Sequence, residues 1–261
     1  MKHSDIISRM NASNLGKRTT PGAGVESHGP SAWRLVIPPG PAGVYRWSQL
    51  DDYLVLPRWR FPHRPPFSLM LRARVSAENL QGTWGMGLWN DPFSAGMGLG
   101  GAGLRLPALP NAAWFFHASP PNHLALRDEI PGNGLLAGVF RAPLLPGVLL
   151  LPAAPPALLL VWPAAARLLR RLAARIVRDD AVLLNLNPFL WHEYRIDWEE
   201  RRVVFTLDGG RVFETRYAPR GRLGLVIWID NQYAAFPPDG RIRSGTLETA
   251  ERAWLDVEFL S

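Results

Sequence analysis

Short apolar runs separated by proline and glycine make up most of this chain. In the run at 67–75, FSLMLRARV, every second residue is apolar, which is the period of a strand with one buried face. Runs at 202–207 and 211–216 flank an Asp-Gly-Gly turn at 208–210 and predict a hairpin, because glycine accepts a positive φ. Many short strands without alternating helices favour an antiparallel sandwich or jelly roll over a parallel α/β sheet.

The chain divides into a tail and one domain. Residues 1–30 are rich in Ser, Asn, Gly and basic residues and lack apolar periodicity, so they are expected to form a disordered tail without a secretory signal. Residues 31–261 are expected to form one β-sandwich domain, interrupted at 142–187. The absence of cysteine excludes disulfides and thiolate metal sites and fits the cytoplasmic side of a membrane.

The interruption begins with a proline- and leucine-rich loop. No charged residue occurs from 142 to 166, a length that could span a bilayer, but the stretch contains six prolines. Each proline removes a backbone donor, and lipid offers no water to the freed carbonyls, so a transmembrane helix is not expected.

A basic amphipathic helix is predicted to follow from Pro163. Leu168, Leu172 and Ile176 recur every four residues along one face. The arginines predicted to contact a membrane are Arg167, Arg170, Arg171, Arg175 and Arg178. This pattern predicts peripheral association with an anionic membrane surface. The alternative is a helix that caps one open end of the sandwich with its arginines in water.

Two motifs carry a resemblance to a known group. The segment 82–89, GTWGMGLW, resembles the G-x-W-P-A-F-W strand of laminarinase-type family 16 glycoside hydrolases. The segment 191–198, WHEYRIDW, is similar to their W-H-x-Y-x-I-x-W strand, and an Asp-Gly turn follows it, as in that family. The resemblance implies a concanavalin A-like lectin/glucanase jelly roll, a fold shared by enzymes and by non-enzymatic relatives.

The family's catalytic motif is missing. The resemblance places E-x-D-x-x-E on the next strand, where its two glutamates act as nucleophile and general acid/base. Here that strand is 112–119, AAWFFHAS, which contains no carboxylate. The nearest acidic pair, Asp128 and Glu129, is adjacent in sequence and would point to opposite faces of a strand. No catalytic residue is therefore carried over.

A candidate ligand site follows from strand alternation. Trp89 and Asp91 share one strand face, and Trp228 and Asp230 share another, so each strand presents a tryptophan followed by a carboxylate. Sugars stack on tryptophan and bond to Asp and Asn. The candidate ligand-binding residues are Trp89, Asn90, Asp91, His117, Trp228, Asp230, Asn231 and Tyr233. The alternative places both tryptophans in the core, His117 in a buried hydrogen bond and the acidic residues in turns.

Metals and nucleic acids are not expected as ligands. The six histidines show no H-x-x-x-H or H-E-x-x-H spacing. Oxygens of Asp91, Asp230 or Asn231 suit Ca²⁺, but no dedicated loop is present, so no cofactor is predicted. The net charge of +7 suits an anionic partner, yet the aromatic residues are not interleaved with the arginines as in nucleic-acid binders.

Three functions remain open from the sequence. The first is a non-catalytic glycan- or glycolipid-binding β-sandwich at a membrane surface. The second is a glycoside hydrolase with relocated carboxylates, for which Asp91 and Asp230 are the candidate pair. The third is a structural interaction protein whose groove is filled by its own side chains.

Overall fold

The computed structural model describes residues 15–92, 105–153 and 162–260. The strands are β1 (Gly16–Thr19), β2 (Gly24–Ser27), β3 (Ala32–Ile37), β4 (Trp47–Asp51), β5 (Phe67–Val75), β6 (Thr83–Trp89), β7 (Ala112–Ala118), β8 (Gly134–Arg141), β9 (Arg178–Leu183), β10 (His192–Trp198), β11 (Val203–Leu207), β12 (Gly210–Thr215), β13 (Gly224–Asp230), β14 (Gln232–Ala235), β15 (Arg243–Thr246) and β16 (Ala253–Phe259). One α-helix, α1 (Pro163–Ile176), and two 3-10 turns, Arg58–Arg60 and Gly147–Ala153, are described with them.

The strands form a two-layer sandwich. Sheet 1 has seven strands in the order β1-β4-β13-β6-β7-β8-β9, and sheet 2 has seven in the order β12-β11-β10-β5-β16-β3-β2. All pairings within both sheets are antiparallel. The expected all-β sandwich of two antiparallel sheets is thereby confirmed. A two-stranded ribbon of β14 and β15 lies outside both sheets.

The main core lies between the two sheets and follows from strand alternation. In β5, the residues at every second position are buried, as the sequence period predicts. Across from it, Trp84 of β6 and Phe115 of β7 enter the same core. Phe115 packs edge-on against Tyr194 of β10, with ring centroids 4.9 Å apart. Aromatic contacts of this kind join the two layers.

Part of the predicted tail is ordered, so that prediction was wrong for residues 15–30. β1 pairs with β4 at the edge of sheet 1, and β2 pairs with β3 at the edge of sheet 2. These edge strands are short and polar because their outer sides face water, which hides their apolar period. Arg18 of β1 reaches the fully buried Asp51 at 2.8 Å. Residues 1–14 lie outside the described residues.

The interruption also contributes to the sandwich. The helix begins at Pro163, as predicted, but the segment then continues directly into β9, which pairs with β8. Arg178 therefore belongs to β9 and was wrongly assigned to the helix. The proline-rich residues 154–161 lie outside the described residues. Within the described ranges, no helix has the length and apolar character needed to cross a membrane.

Replacement of Arg18 by alanine should strongly destabilise the protein. The change leaves the carboxylate of Asp51 buried without its cation, which costs about 3–5 kcal/mol in the free energy of unfolding. Lys17→Ala, an exposed position on the same strand, is the control and should change stability by less than about 0.5 kcal/mol. Urea unfolding of both variants measures the difference, and equal stabilities would show that β1 is dispensable.

Candidate ligand-binding site

A cavity of about 390 Å³ lies on the outer face of sheet 1, away from sheet 2. In β13, Val226, Trp228 and Asp230 line this cavity, whereas the alternate residues Leu225 and Ile227 enter the main core. The strand period of two residues thus separates a cavity face from a core face. The side chains of the described residues leave this groove open, which disfavours the purely structural alternative.

The floor of the cavity is aromatic. The ring of Trp114 on β7 lies at its centre, 6.1 Å from Trp89 and 5.8 Å from Trp228 by ring centroids. Phe116 lies 5.5 Å from the same ring on one side, and Phe140 lies 5.9 Å away on the other. These rings present a continuous apolar surface to any occupant.

Two glycines in β6 make room for these rings. A Cβ at Gly85 would lie 2.5 Å from the indole of Trp228, and a Cβ at Gly87 would lie 2.5 Å from the Cβ of Trp114. Both glycines are on the cavity face of β6, between β13 and β7. Any larger residue would displace the rings, so the G-x-G spacing in this strand positions the aromatic floor.

Loops and helix α1 form the walls. Leu109, Pro110 and Asn111 line one part of the cavity, and Leu124 and Leu126 line another. Ala173 of α1, with Val177 just after the helix, faces the cavity, as do Tyr233 and Phe236. The walls are therefore as apolar as the floor.

One end of the cavity is polar and is built around Asp230. This side chain is only 7% exposed. Its Oδ1 accepts hydrogen bonds from the hydroxyl of Thr83 at 2.8 Å and from the backbone N–H of Gln232 at 3.1 Å. The hydroxyl of Tyr45 donates to Oδ2 at 3.4 Å, a long contact. Burial raises the pKa of Asp230 to about 7, although these hydrogen bonds favour the ionised form.

The amide side chains of Asn90 and Asn122 at the cavity are used within the protein. Asn90 donates to the carbonyl of Leu109 and accepts from the N–H of Asn111. Asn122 donates to the carbonyl of Ser119 and accepts from the N–H of Ala234. These amides hold the surrounding loops in place. Within the described ranges, no group of three or more His, Asp or Glu side chains is arranged to hold a metal ion.

The structure brings together five of the eight predicted ligand residues. Trp89, Asn90, Trp228, Asp230 and Tyr233 line the cavity. Two of these also brace the site, because the indole N–H of Trp89 donates to the hydroxyl of Tyr53 at 2.6 Å and that of Trp228 donates to Thr83 at 3.0 Å.

Three predicted residues lie elsewhere. Asp91 is fully buried beside the cavity and pairs with Arg105; burial raises its pKa and that arginine lowers it. His117 is on the core face of β7, stacked on Trp84 at 5.5 Å, and burial lowers its pKa to about 4. The side chain of Asn231 bonds only to backbone groups. None of these three residues lines the cavity, so the structure does not group them with the other candidate ligand residues.

The relocated carboxylate pair is not supported by the structure. Trp89 lies opposite Gly224, and Thr83 lies opposite Asp230, so six residues separate the two levels of the sheet. At about 3.3 Å per residue, Asp91 and Asp230 are roughly 20 Å or more apart. Glycosidase pairs span only about 5–9.5 Å. These two carboxylates cannot act on one glycosidic bond.

Sequence reasoning missed the centre of the site. Trp114, Phe116 and Phe140 were not among the predicted residues, and neither was Gln232. The signal was present in the strand at 112–119, where alternation places Trp114 and Phe116 on one face. The prediction for that strand used only its lack of carboxylates and did not include Trp114 and Phe116, the aromatic residues on the cavity face.

Comparisons with known proteins give similarity of architecture. No protein-family model matches the chain, and no curated protein matches it. A GlcNAcα1-4Gal-releasing endo-β-galactosidase from Clostridium perfringens is similar at 9% identity and a TM-score of 0.47, with 96% of this chain and 58% of that chain covered. A laminarinase from Flavobacterium sp. UMI-01 is similar at 8% identity and a TM-score of 0.42, with 97% and 95% covered.

A carbohydrate recognition domain, that of Emp47p, is also similar. Its identity is 10% and its TM-score 0.43, with 95% of this chain and 90% of that chain covered. The neighbours thus include both enzymes and a carbohydrate recognition domain. At such identities and scores, no residue role is carried over from them.

Asp230→Asn should change how stability depends on pH. An unfolded aspartate has a pKa near 3.9, so between about pH 4 and 7 the folded state keeps a proton that the unfolded chain has released. Asp230 therefore lowers the free energy of unfolding as pH rises through this window. Relative to the wild type, Asp230→Asn should gain stability from pH 4 to 7 and then level off in urea unfolding.

Asp208→Asn is the matched control. Burial alone would raise the pKa of Asp208, but hydrogen bonds from His192 and from the N–H of Glu193 lower it. Its stabilising contribution is complete above about pH 4 and is lost only below that value. From pH 4.5 to about 5.5, where the carboxylate is ionised and a histidine partner is still protonated, the stability difference between Asp208→Asn and the wild type should therefore stay constant. A constant difference for Asp230→Asn as well would contradict the raised pKa.

Proposed function

We propose that this protein is a non-catalytic binding module that holds the apolar part of a glycolipid-type amphiphile at a membrane surface. The observation that carries the proposal is the cavity on sheet 1, whose floor and walls are aromatic or aliphatic and whose one polar end is at Asp230. Ligand pockets combine an apolar lining with a few placed polar groups in this way.

The polar groups favour an amphiphile over a free glycan. A sugar that filled the cavity would need partners for its hydroxyls on every side. The amides of Asn90 and Asn122 already bond to the protein, and the floor offers only rings. The apolar part of a ligand therefore fits the cavity, with its carbohydrate part towards the outside.

A non-catalytic role is supported by the carboxylates. Among the described residues that line the cavity, Asp230 is the only acidic one. The family's general mechanism needs two carboxyl groups on either side of the scissile bond. The equivalent strand instead presents Ala112, Trp114 and Phe116 to the cavity. Aromatic surface thus occupies the place where the resemblance would put catalytic groups.

Octyl glucoside, used below its micellar concentration, should bind to the protein, whereas glucose should not bind measurably. The octyl chain gains free energy in the apolar cavity, and glucose has no such part. Ala112→Leu fills part of the cavity from its floor and should weaken octyl glucoside binding about tenfold or more. Isothermal titration calorimetry measures both affinities.

Trp191→Ala is the control, since Trp191 is partly exposed and packs over Arg72 on sheet 2, away from the cavity. Its affinity for octyl glucoside should match that of the wild type. Tight binding of glucose or of an oligosaccharide without an apolar part would replace the proposal with a glycan site. Release of product from a glycan would reject the non-catalytic role.

Helix α1 supports the membrane part of the proposal. The side of α1 that packs against the protein carries the small residues Ala166 and Ala173. It also carries Arg170, whose guanidinium is hydrogen-bonded to the protein. The leucine stripe of α1 (Leu168, Leu172 and Ile176) is 53%, 42% and 49% exposed. More apolar side chains are exposed at Leu144, Leu145, Val148, Leu149 and Trp162. Apolar surface of this kind is typical of an interaction site.

The charges next to the stripe favour an anionic membrane as the partner. At 100° per residue, Arg167, Arg171 and Arg175 form a face that adjoins the leucine stripe. Arg170 does not share this face, because it donates to the carbonyls of Phe236 and Ala125. Interfacial helices bind anionic lipid through two features, an apolar surface and basic side chains. Helix α1 has both, in its leucine stripe and its three exposed arginines.

Vesicle co-sedimentation tests this surface. The wild type should bind phosphatidylcholine vesicles with 30% phosphatidylserine at low salt, bind less at high salt and bind weakly to pure phosphatidylcholine. Leu168→Ser/Leu172→Ser/Ile176→Ser should lose most binding. Val55→Ser/Leu190→Ser removes exposed apolar residues elsewhere and should bind like the wild type. Equal recovery in the supernatant for every lipid would reject the membrane role.

A further inference from the structure

Five aspartates are buried in the part of the chain that the structure describes, and four of them have an arginine partner. The pairs are Asp51 with Arg18, Asp91 with Arg105, Asp179 with Arg127, and Asp256 with both Arg34 and Arg74. A buried carboxylate without a cation is costly, so this pairing is the expected arrangement. Asp230 is the exception among the five.

The surroundings of Asp230 supply hydroxyl and amide donors in place of a cation. The donors are the hydroxyls of Thr83 and Tyr45 and the backbone N–H of Gln232. The Thr83 hydroxyl and the Gln232 N–H both donate to Oδ1, and the backbone N–H of Thr83 also donates to the carboxylate, whereas the contact of Oδ2 with the Tyr45 hydroxyl is long at 3.4 Å. The carboxylate therefore keeps acceptor capacity, and it lines the cavity.

A second acceptor lies two residues along the chain. Gln232 lines the same cavity, and its Oε1 is buried without a hydrogen-bond partner among the described residues. An unpaired buried acceptor is costly, so its presence at the cavity favours a ligand that donates a hydrogen bond there. The end of the cavity thus presents two acceptors with unused capacity, one on Asp230 and one on Gln232.

Aromatic faces border this end. Trp228 donates its indole N–H to the same Thr83 that bonds to Asp230, so its ring lies beside the polar end. Trp47 also lines the cavity and stacks with Tyr45 at 6.3 Å. Electron-rich ring faces attract cations, and their attraction increases when water is excluded.

From this arrangement we infer that the polar end of the cavity binds a primary ammonium group, so that the ligand is a cationic amphiphile with its amine next to its apolar part. The ammonium donates to Asp230 and to Gln232 Oε1, and the aromatic faces stabilise its charge. The inference rests on the proposed binding of an amphiphile's apolar part in the cavity, and it adds a cationic group at the end of that part which lies beside Asp230. The ligand then supplies a cationic partner for Asp230, as arginines do for the other four buried aspartates.

Calorimetric titration at pH 8 with octylammonium chloride, 1-octanol and octyl glucoside, each as the monomer, tests the inference. The wild type should bind octylammonium about tenfold or more tighter than 1-octanol, because a charge-assisted hydrogen bond is added. Asp230→Asn should abolish this preference, so that octylammonium and 1-octanol bind with equal affinity. Gln232→Leu should reduce the preference severalfold. Thermal unfolding confirms that both variants are folded.

Glu200→Gln removes an exposed carboxylate far from the cavity and should keep the full preference, which controls for the overall charge. Equal affinities for octylammonium and 1-octanol, or a preference that survives in Asp230→Asn, would overturn the inference. In that case binding of octyl glucoside would still support amphiphile binding. Binding of octylammonium alone would support the ammonium site and reject the glycolipid proposal. Failure of all three compounds would reject both.

Discussion

The close approach of aromatic rings to a glycine strand is the constraint on which this structure depends. β6 is the central strand of sheet 1, and its outer face presents Gly85 and Gly87 where other strands carry side chains. Trp228 from one neighbour and Trp114 from the other lie over the resulting gap. The interior of a protein is close-packed, so such a gap must be filled by neighbours of matching shape. Here the filling rings become the floor of a cavity.

This arrangement changes the character of the sandwich's outer face. A face that carries acidic groups in the family the sequence resembles carries rings here, and its one carboxylate lies at the far end. The proposed function assigns this face to ligand recognition, because a single buried charge surrounded by apolar surface selects its counter-charge strongly. The other four buried aspartates of the described residues each pair with an arginine. Asp230 is the one of the five that has no arginine partner.

The fold was predictable from the sequence because strand periods and turn residues are local signals. The run at 67–75 coincides with β5, and the Asp-Gly-Gly turn lies between β11 and β12 as expected. The edge strands β1 and β9 were missed, since short strands with polar outer sides carry little period. Alternation along the strands was enough to predict about half of the residues that line the cavity. It could not predict the position of His117, because alternation does not say which face of β7 packs against sheet 2. That choice is made by tertiary packing.

Ala173 of α1 lines the cavity, while the leucine stripe on another side of the same short helix is exposed to the surroundings. A helix that is rigid over 14 residues cannot move one side without the other. Binding of a ligand in the cavity and binding of the leucine stripe to a partner are therefore two equilibria that involve the same helix. Thermodynamic reciprocity then requires that, for the proposed ligand and the proposed membrane, whatever free energy one binding event contributes to the other is returned in equal measure.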